Sequence, residues 1–246
     1  HNLSKNTDAL LPAQYVYWNY RLRSDRYEPF LREANTNGAA GHFSFEEAVL
    51  SGYHELVQRD AFLLHWLTHT PAPRIDKKGI TDPELREIIS DFESHGYAIE
   101  FLYTTIDMGI PSIACFVFDT RGHVPLVSIG GGCEHNPERA MVRAATESLG
   151  ILRWLRKEKD KVPSFDPRQY VPFSSGELNQ LERILIWNNG PLFDILHKYV
   201  FSGSIIPLTS IPHQTFTTPA EELVWTVERT IEKGEGHSLY VYRAKA

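Results

Sequence analysis

Pro111 to Glu147 reads PSIACFVFDTRGHVPLVSIGGGCEHNPERAMVRAATE. β-branched and aromatic residues dominate residues 111–119 and again 124–129, with Arg121-Gly122 between them, which predicts two strands joined by a tight turn. Gly130-Gly131-Gly132 then reads as a turn. Asn136-Pro137, a cap followed by a first-turn proline, opens a helix expected to run to about Lys157. Upstream, residues 98–105 predict another strand, closed by the turn Asp107-Met108-Gly109-Ile110, and Thr81-Asp82-Pro83 starts a helix that ends near His95-Gly96. Before it, Ser44 and Glu47 form a capping box at the head of a long helix. Apolar residues at Val49, Tyr53, Leu56, Val57, Leu63, Leu64 and Leu67 carry that helix to about Thr68, where Pro71 and Pro73 stop it.

Farther out the signals thin. Residues 15–20 are aromatic and predict a strand, helices are expected at 175–187, 191–199 and 219–233, and a last strand at 238–243. Trp187 and Trp225 sit at helical spacing among Leu and Ile and read as core residues. There is no internal repeat and no long linker, so the whole chain, 1–246, reads as a single α/β (α+β) domain with strands packed on helices.

Composition excludes several functions. Against 31 Asp+Glu stand 25 Lys+Arg, a formal charge of −6 without a basic cluster, so a nucleic-acid partner is not expected. Apolar runs such as residues 113–118 fall far short of the roughly 20 residues of a membrane span, and no signal segment opens the chain. A soluble protein that makes no membrane contact is expected. Cys115 and Cys133 lack zinc-ligand spacing and a disulfide framework, which points to a reducing cytoplasm. Cys133-Glu134-His135 offers no geometry for a thiolate nucleophile.

Two stretches could carry chemistry. On the long helix Glu47, Ser51, His54, Glu55 and Gln58 fall within an arc of about 100°, with Arg59 at its edge. Such an arc is either a face in water or a set of carboxylates and an arginine around a metal and a polyphosphate; spacing does not decide. His54 reads as solvated or hydrogen-bonded. In the second stretch three glycines precede a helix N-terminus, where backbone N–H groups can approach an anion. Arg143 and Glu147 lie four apart on that helix, the spacing of a surface ion pair.

Taken together, the two stretches resemble the YcaO family of ATP-using, peptide-modifying enzymes. The resemblance rests on Asn37-Gly38-Ala39-Ala40-Gly41, Glu46-Glu47-Ala48, Glu55-Leu56-Val57-Gln58-Arg59-Asp60, Asp107-Met108-Gly109-Ile110-Pro111, Gly130 to Gly132 and Arg143-Ala144-Ala145-Thr146-Glu147, and covers residues 36–149. The remainder, 160–246, reads as a helical, family-variable region. The resemblance implies ATP and Mg2+ as cofactors, with Glu47, Glu55 and Glu147 as metal ligands. Gln58, Arg59 and Arg143 join them around the nucleotide, and the polar faces of the two helices are expected to meet at one cleft. It implies activation of a peptide backbone amide, giving an azoline or a thioamide, on a peptide substrate presented by a leader-recognising partner, and it admits a homodimer.

Departures from the family pattern point elsewhere. Gln58 stands where the family commonly has Glu, Gly150 where it commonly has Gln, and His42-Phe43 replaces the usual turn. A Ser-x-Gly-Lys-Gly-like motif and a further glutamate pair are absent, so the chain reads as the middle and later part of a larger enzyme, lacking N- and C-terminal segments. The alternatives are a catalytically degenerate YcaO-like scaffold that binds a peptide or partner, and an unrelated nucleotide-binding regulator.

Overall fold

The computed structural model describes residues 1–23, 25, 27–32, 35–158, 184–188, 190–234 and 237–244. Its helices are α1 (Ala13–Val16), α2 (Phe45–Leu67), α3 (Pro83–Ser94), α4 (Pro137–Glu158), α5 (Gly190–Ser202) and α6 (Pro219–Glu232). The strands are β1 (Arg74–Asp76), β2 (Tyr97–Tyr103), β3 (Ser112–Asp119), β4 (Val127–Cys133) and β5 (Ile205–Pro207). Four of the helices begin where the sequence supplies a cap, among them α4, where Asn136 Oδ1 accepts the Glu138 N–H at 2.9 Å and the Arg139 N–H at 3.2 Å ahead of Pro137. Ser44 Oγ accepts the Glu47 N–H at 3.2 Å before α2. Asp82 accepts the Leu85 N–H at 3.1 Å and Pro83 opens α3; Thr218 accepts the Glu221 N–H at 3.2 Å and Pro219 opens α6. Each cap satisfies an N–H that the first turn leaves without a helical partner. The helix expected at 175–187 falls mostly outside the described residues. Two compact units result: His1–Leu56 with Phe216–Ala246, and Val57–Thr215.

The second unit holds one five-stranded sheet in the order β4-β3-β2-β1-β5, antiparallel except for the parallel β1–β5 pair. Side chains alternate across it. Ile113, Cys115 and Val117 of β3 join Ile99 and Phe101 of β2 in a cluster with Leu85, Phe92, Met141 and Leu152 of α3 and α4. Ala114, Phe116 and Phe118 point the other way, into a cluster that takes in Leu196 and Val200 of α5 and Phe62 and Trp66 of α2. Covered on both faces, β3 is buried at all eight positions. Trp187 lies in the second cluster, its ring 5.0 Å from that of Trp66, as a core residue should.

The glycine run corrects the sequence reading. Gly130 to Gly132 form the end of β4 rather than a turn, because the helix that follows packs its backbone against them. A Cβ on Gly132 would meet the Ala140 carbonyl oxygen, and one on Gly130 the Ala144 carbonyl and the Ser148 N–H. Two residues farther back, Ser128 Oγ lies 2.9 Å from Ser148 Oγ. Strand positions 128, 130 and 132 thus face helix positions 148, 144 and 140. Two strand residues advance about 6.6 Å and four helix residues about 6 Å, so the small residues stay in step.

In the first unit the contact of α2 with α6 is polar. Tyr53 Oη lies 3.1 Å from Thr230 Oγ1, His54 Nε2 lies 3.3 Å from Glu222 Oε1, and Thr226 between them is fully buried. Trp225 packs its ring 5.9 Å from Phe216 but is only half-buried and joins neither core cluster, so it is not the core residue its spacing suggested. Two expected strands do not form. Residues 13–16 make one helical turn, and residues 238–243 contribute a single bridge, Tyr240 to Asn2.

Candidate functional site

The polar arc of α2 does not face water. His54 is buried and Glu47, Ser51, Glu55, Gln58 and Arg59 are half-buried, whereas Leu56, Leu63, Leu64 and Leu67 are 45–49% exposed. The helix buries apolar residues as well, Val49, Leu50, Tyr53, Val57 and Ala61, so it is covered on more than one side, unlike an ordinary surface helix.

Glycines hold two of the carboxylates. In the first unit the Gly38 N–H donates to Glu55 Oε2 at 3.0 Å. Gly38 has φ +78°, and its carbonyl oxygen occupies the place a Cβ on Gly52 would need. Only glycine suits both positions, which is the physical content of the Asn37-Gly38 turn. Nearby, Glu47 Oε2 accepts from the Ser44 hydroxyl at 2.8 Å and lies 2.8 Å from His42 Nδ1. The Ser44 hydrogen bond, helped by His42, holds the Glu47 carboxyl below its usual range.

In the second unit the Gly131 N–H donates to Glu147 Oε2 at 2.5 Å. The face of Gly131 is occupied by Gln58, whose carboxamide fills the space of the missing Cβ. So Gln58, from the first sequence stretch, and Glu147, from the second, come together at one glycine. The Arg143–Glu147 pair suggested by spacing does not form. Arg143 instead pairs with Glu134 at 2.5 Å, at the mouth of the β4–α4 turn. Burial pushes the Glu134 carboxyl above its ordinary value, against the pull of Arg143 and Arg139. Arg143 is still half exposed, and Arg59 is half-buried. Sequence reasoning assigned no site role to Glu134 or Glu222 and read Gly131 only as part of a turn and of a motif. For Gly131 a signal existed, since in a glycine run beside an alanine-rich helix the middle residue faces the opposite side of the strand.

The family model for YcaO, described as an ATP- and Mg2+-binding cyclodehydratase, matches residues 1–244. The chain belongs to the YcaO family. Its fold is that of a heterocyclase solved in complex with substrate and cofactor, at TM-score 0.72 and 23% identity over 94% of this chain and 28% of that one. It is also similar to YcaO from Methanopyrus kandleri bound with AMPPCP and Mg2+, at TM-score 0.62 and 20% identity over 85% and 51% of the two chains. An uncharacterized protein of Methanothermobacter thermautotrophicus is 29% identical over 147 residues, 59% of this chain and 38% of that protein. The chain therefore spans little more than a third of that relative's length. ATP and Mg2+ are the cofactors of the YcaO family.

Each unit carries side chains of the donor type such a group takes. Glu47, Glu55 and Glu147 are hard oxygen donors of the kind Mg2+ selects, and Gln58 adds a neutral one. Beyond the Gly131 N–H, the Glu147 carboxylate has no hydrogen bond or ion pair among the described residues, so its second oxygen faces out of the protein's own network. Among the described residues no helix is long and apolar enough to cross a membrane.

Proposed function

We propose that this YcaO chain takes part in ATP- and Mg2+-dependent activation of backbone amides in a ribosomally made peptide, giving azoline heterocycles or thioamides. The observation that carries the reading is the meeting of the two family signatures at Gly131, Gln58 on its open face and Glu147 on its N–H. Glu47, Glu55 and Glu147 would ligate the metal, and Gln58, Arg59 and Arg143 would hold the nucleotide. When bound, Mg-ATP supplies the phosphoryl group that turns an amide oxygen into a leaving group. The chain's own task is then positioning and charge compensation, which suits carboxylates and arginines without a nucleophile of their own. Arg143 serves it by presenting a guanidinium that Glu134 already orients. A separate protein or domain would recognise the leader of the peptide. The two cysteines, both buried and free, suit a cytoplasmic setting.

Calorimetric titration of the whole chain with Mg-ATP, with and without EDTA, tests the reading. Saturable binding that needs Mg2+ is expected, with Glu147→Gln weakening it about 10-fold while the melting curve holds. Binding that ignores both the chelator and the substitution overturns it. The neutral Gln58 favours one alternative, a YcaO scaffold that binds a peptide or partner after losing nucleotide chemistry. That scaffold would show no Mg-ATP binding and no gain on Gln58→Glu.

A further inference from the structure

The middle residue of the glycine run has a different neighbour from the other two. Cβ atoms on Gly130 and Gly132 would strike the backbone of α4, but one on Gly131 would strike only the end of the Gln58 side chain. Gly131 also donates its N–H to Glu147. Gln58 makes no hydrogen bond among the described residues, so packing on the bare glycine is what locates its carboxamide. Nothing in the β3–β4 ladder or the α4 packing requires glycine here: the ladder runs through backbone atoms, and the α4 side of the strand belongs to positions 130 and 132.

We infer that Gly131 is a positioning residue that places Gln58 and Glu147 with respect to each other, through its missing side chain toward one and its N–H toward the other. The inference rests on the nucleotide reading above. A methyl group at 131 displaces the carboxamide while leaving the strand, the helix and the Glu147 hydrogen bond in place. Groups that orient metal and phosphate ligands are worth about 10-fold to 100-fold in affinity, which sets the scale of the effect.

The experiment compares wild type, Gly131→Ala, Gln58→Asn and the double variant in the full chain, by Mg-ATP calorimetry and thermal melting. Gly131→Ala is expected to melt close to wild type and to bind Mg-ATP about 10-fold or more weakly. In the double variant the side chain at position 58 is one methylene shorter and leaves room for the new methyl, so part of the lost affinity returns. Wild-type binding that Gly131→Ala leaves unchanged overturns this inference and spares the nucleotide reading. Loss without recovery in the double variant also overturns it, because the defect then does not pass through residue 58. A wild-type chain that binds no Mg-ATP removes the nucleotide reading and this role with it.

Discussion

Alanine at Gly132 is expected to destabilise the second unit by about 3 kcal/mol, the upper part of the usual range for overpacking. The added methyl group would fall on the Ala140 carbonyl oxygen and within 2.8 Å of the Ala144 nitrogen, and neither can move without shifting α4 from the sheet. That helix supplies Met141, Ala144, Ala145 and Leu152 to the core, so a shift opens the whole cluster. In a chain of this length the melting temperature should fall by roughly 6 to 12 °C. Gly131→Ala provides the contrast, since there the obstructing group is a mobile side chain. Equal melting temperatures for Gly132→Ala and wild type would show that α4 does not rest on the strand backbone.

Acidification gives the second large effect. Burial raises the pKa of Asp119, but the Arg121 guanidinium and the backbone N–H groups of Arg121 and His123 outweigh it and bring the carboxyl to about 2. In the unfolded chain the same group titrates near 3.8. Because the folded value is the lower one, the charge stabilises the fold at every pH above about 4, and that contribution fades as the pH falls toward 2. The difference sets an upper bound of about 2 kcal/mol, which solvent around the 45% exposed Arg121 side chain reduces. Urea titrations of wild type and Asp119→Asn should therefore run apart at pH 7 and draw together near pH 2.5. A gap that is the same at both values would mean that the charge of Asp119 does not contribute.

Legibility of the sequence followed the range of the forces involved. The starts of α2, α3, α4 and α6 were readable because a cap and its N–H, or a cap and a following proline, lie within four residues. The core of β2, β3 and α4 was readable from runs of β-branched and aromatic residues. β1 and β5 have three residues each, too few to leave a pattern, and pair only because the sheet brings them together. The stretch at residues 15–20 has strand composition but no strand partner among the described residues, and a single helical turn over residues 13–16 takes its place. At the site, Glu55, Gln58 and Glu147 were visible as motif residues. What each one holds was not visible: that Glu147 would prefer a glycine N–H to Arg143, four residues away, depends on β4 running beside α4. The glycines misled for a similar reason, because alone they signal a turn and only against Ala140, Ala144 and Ser148 do they signal close packing.

Among the described residues β4 has a strand neighbour on one side only. An outer strand is where sheets of separate molecules tend to join, and proteins guard against this by setting charge along the open edge. At Gly131 the N–H is already engaged by a carboxylate. An incoming strand would have to dislodge Glu147 and then lie beside its charge. A variant lacking that charge, such as Glu147→Gln, is therefore expected to aggregate more readily at high concentration, which light scattering against wild type checks.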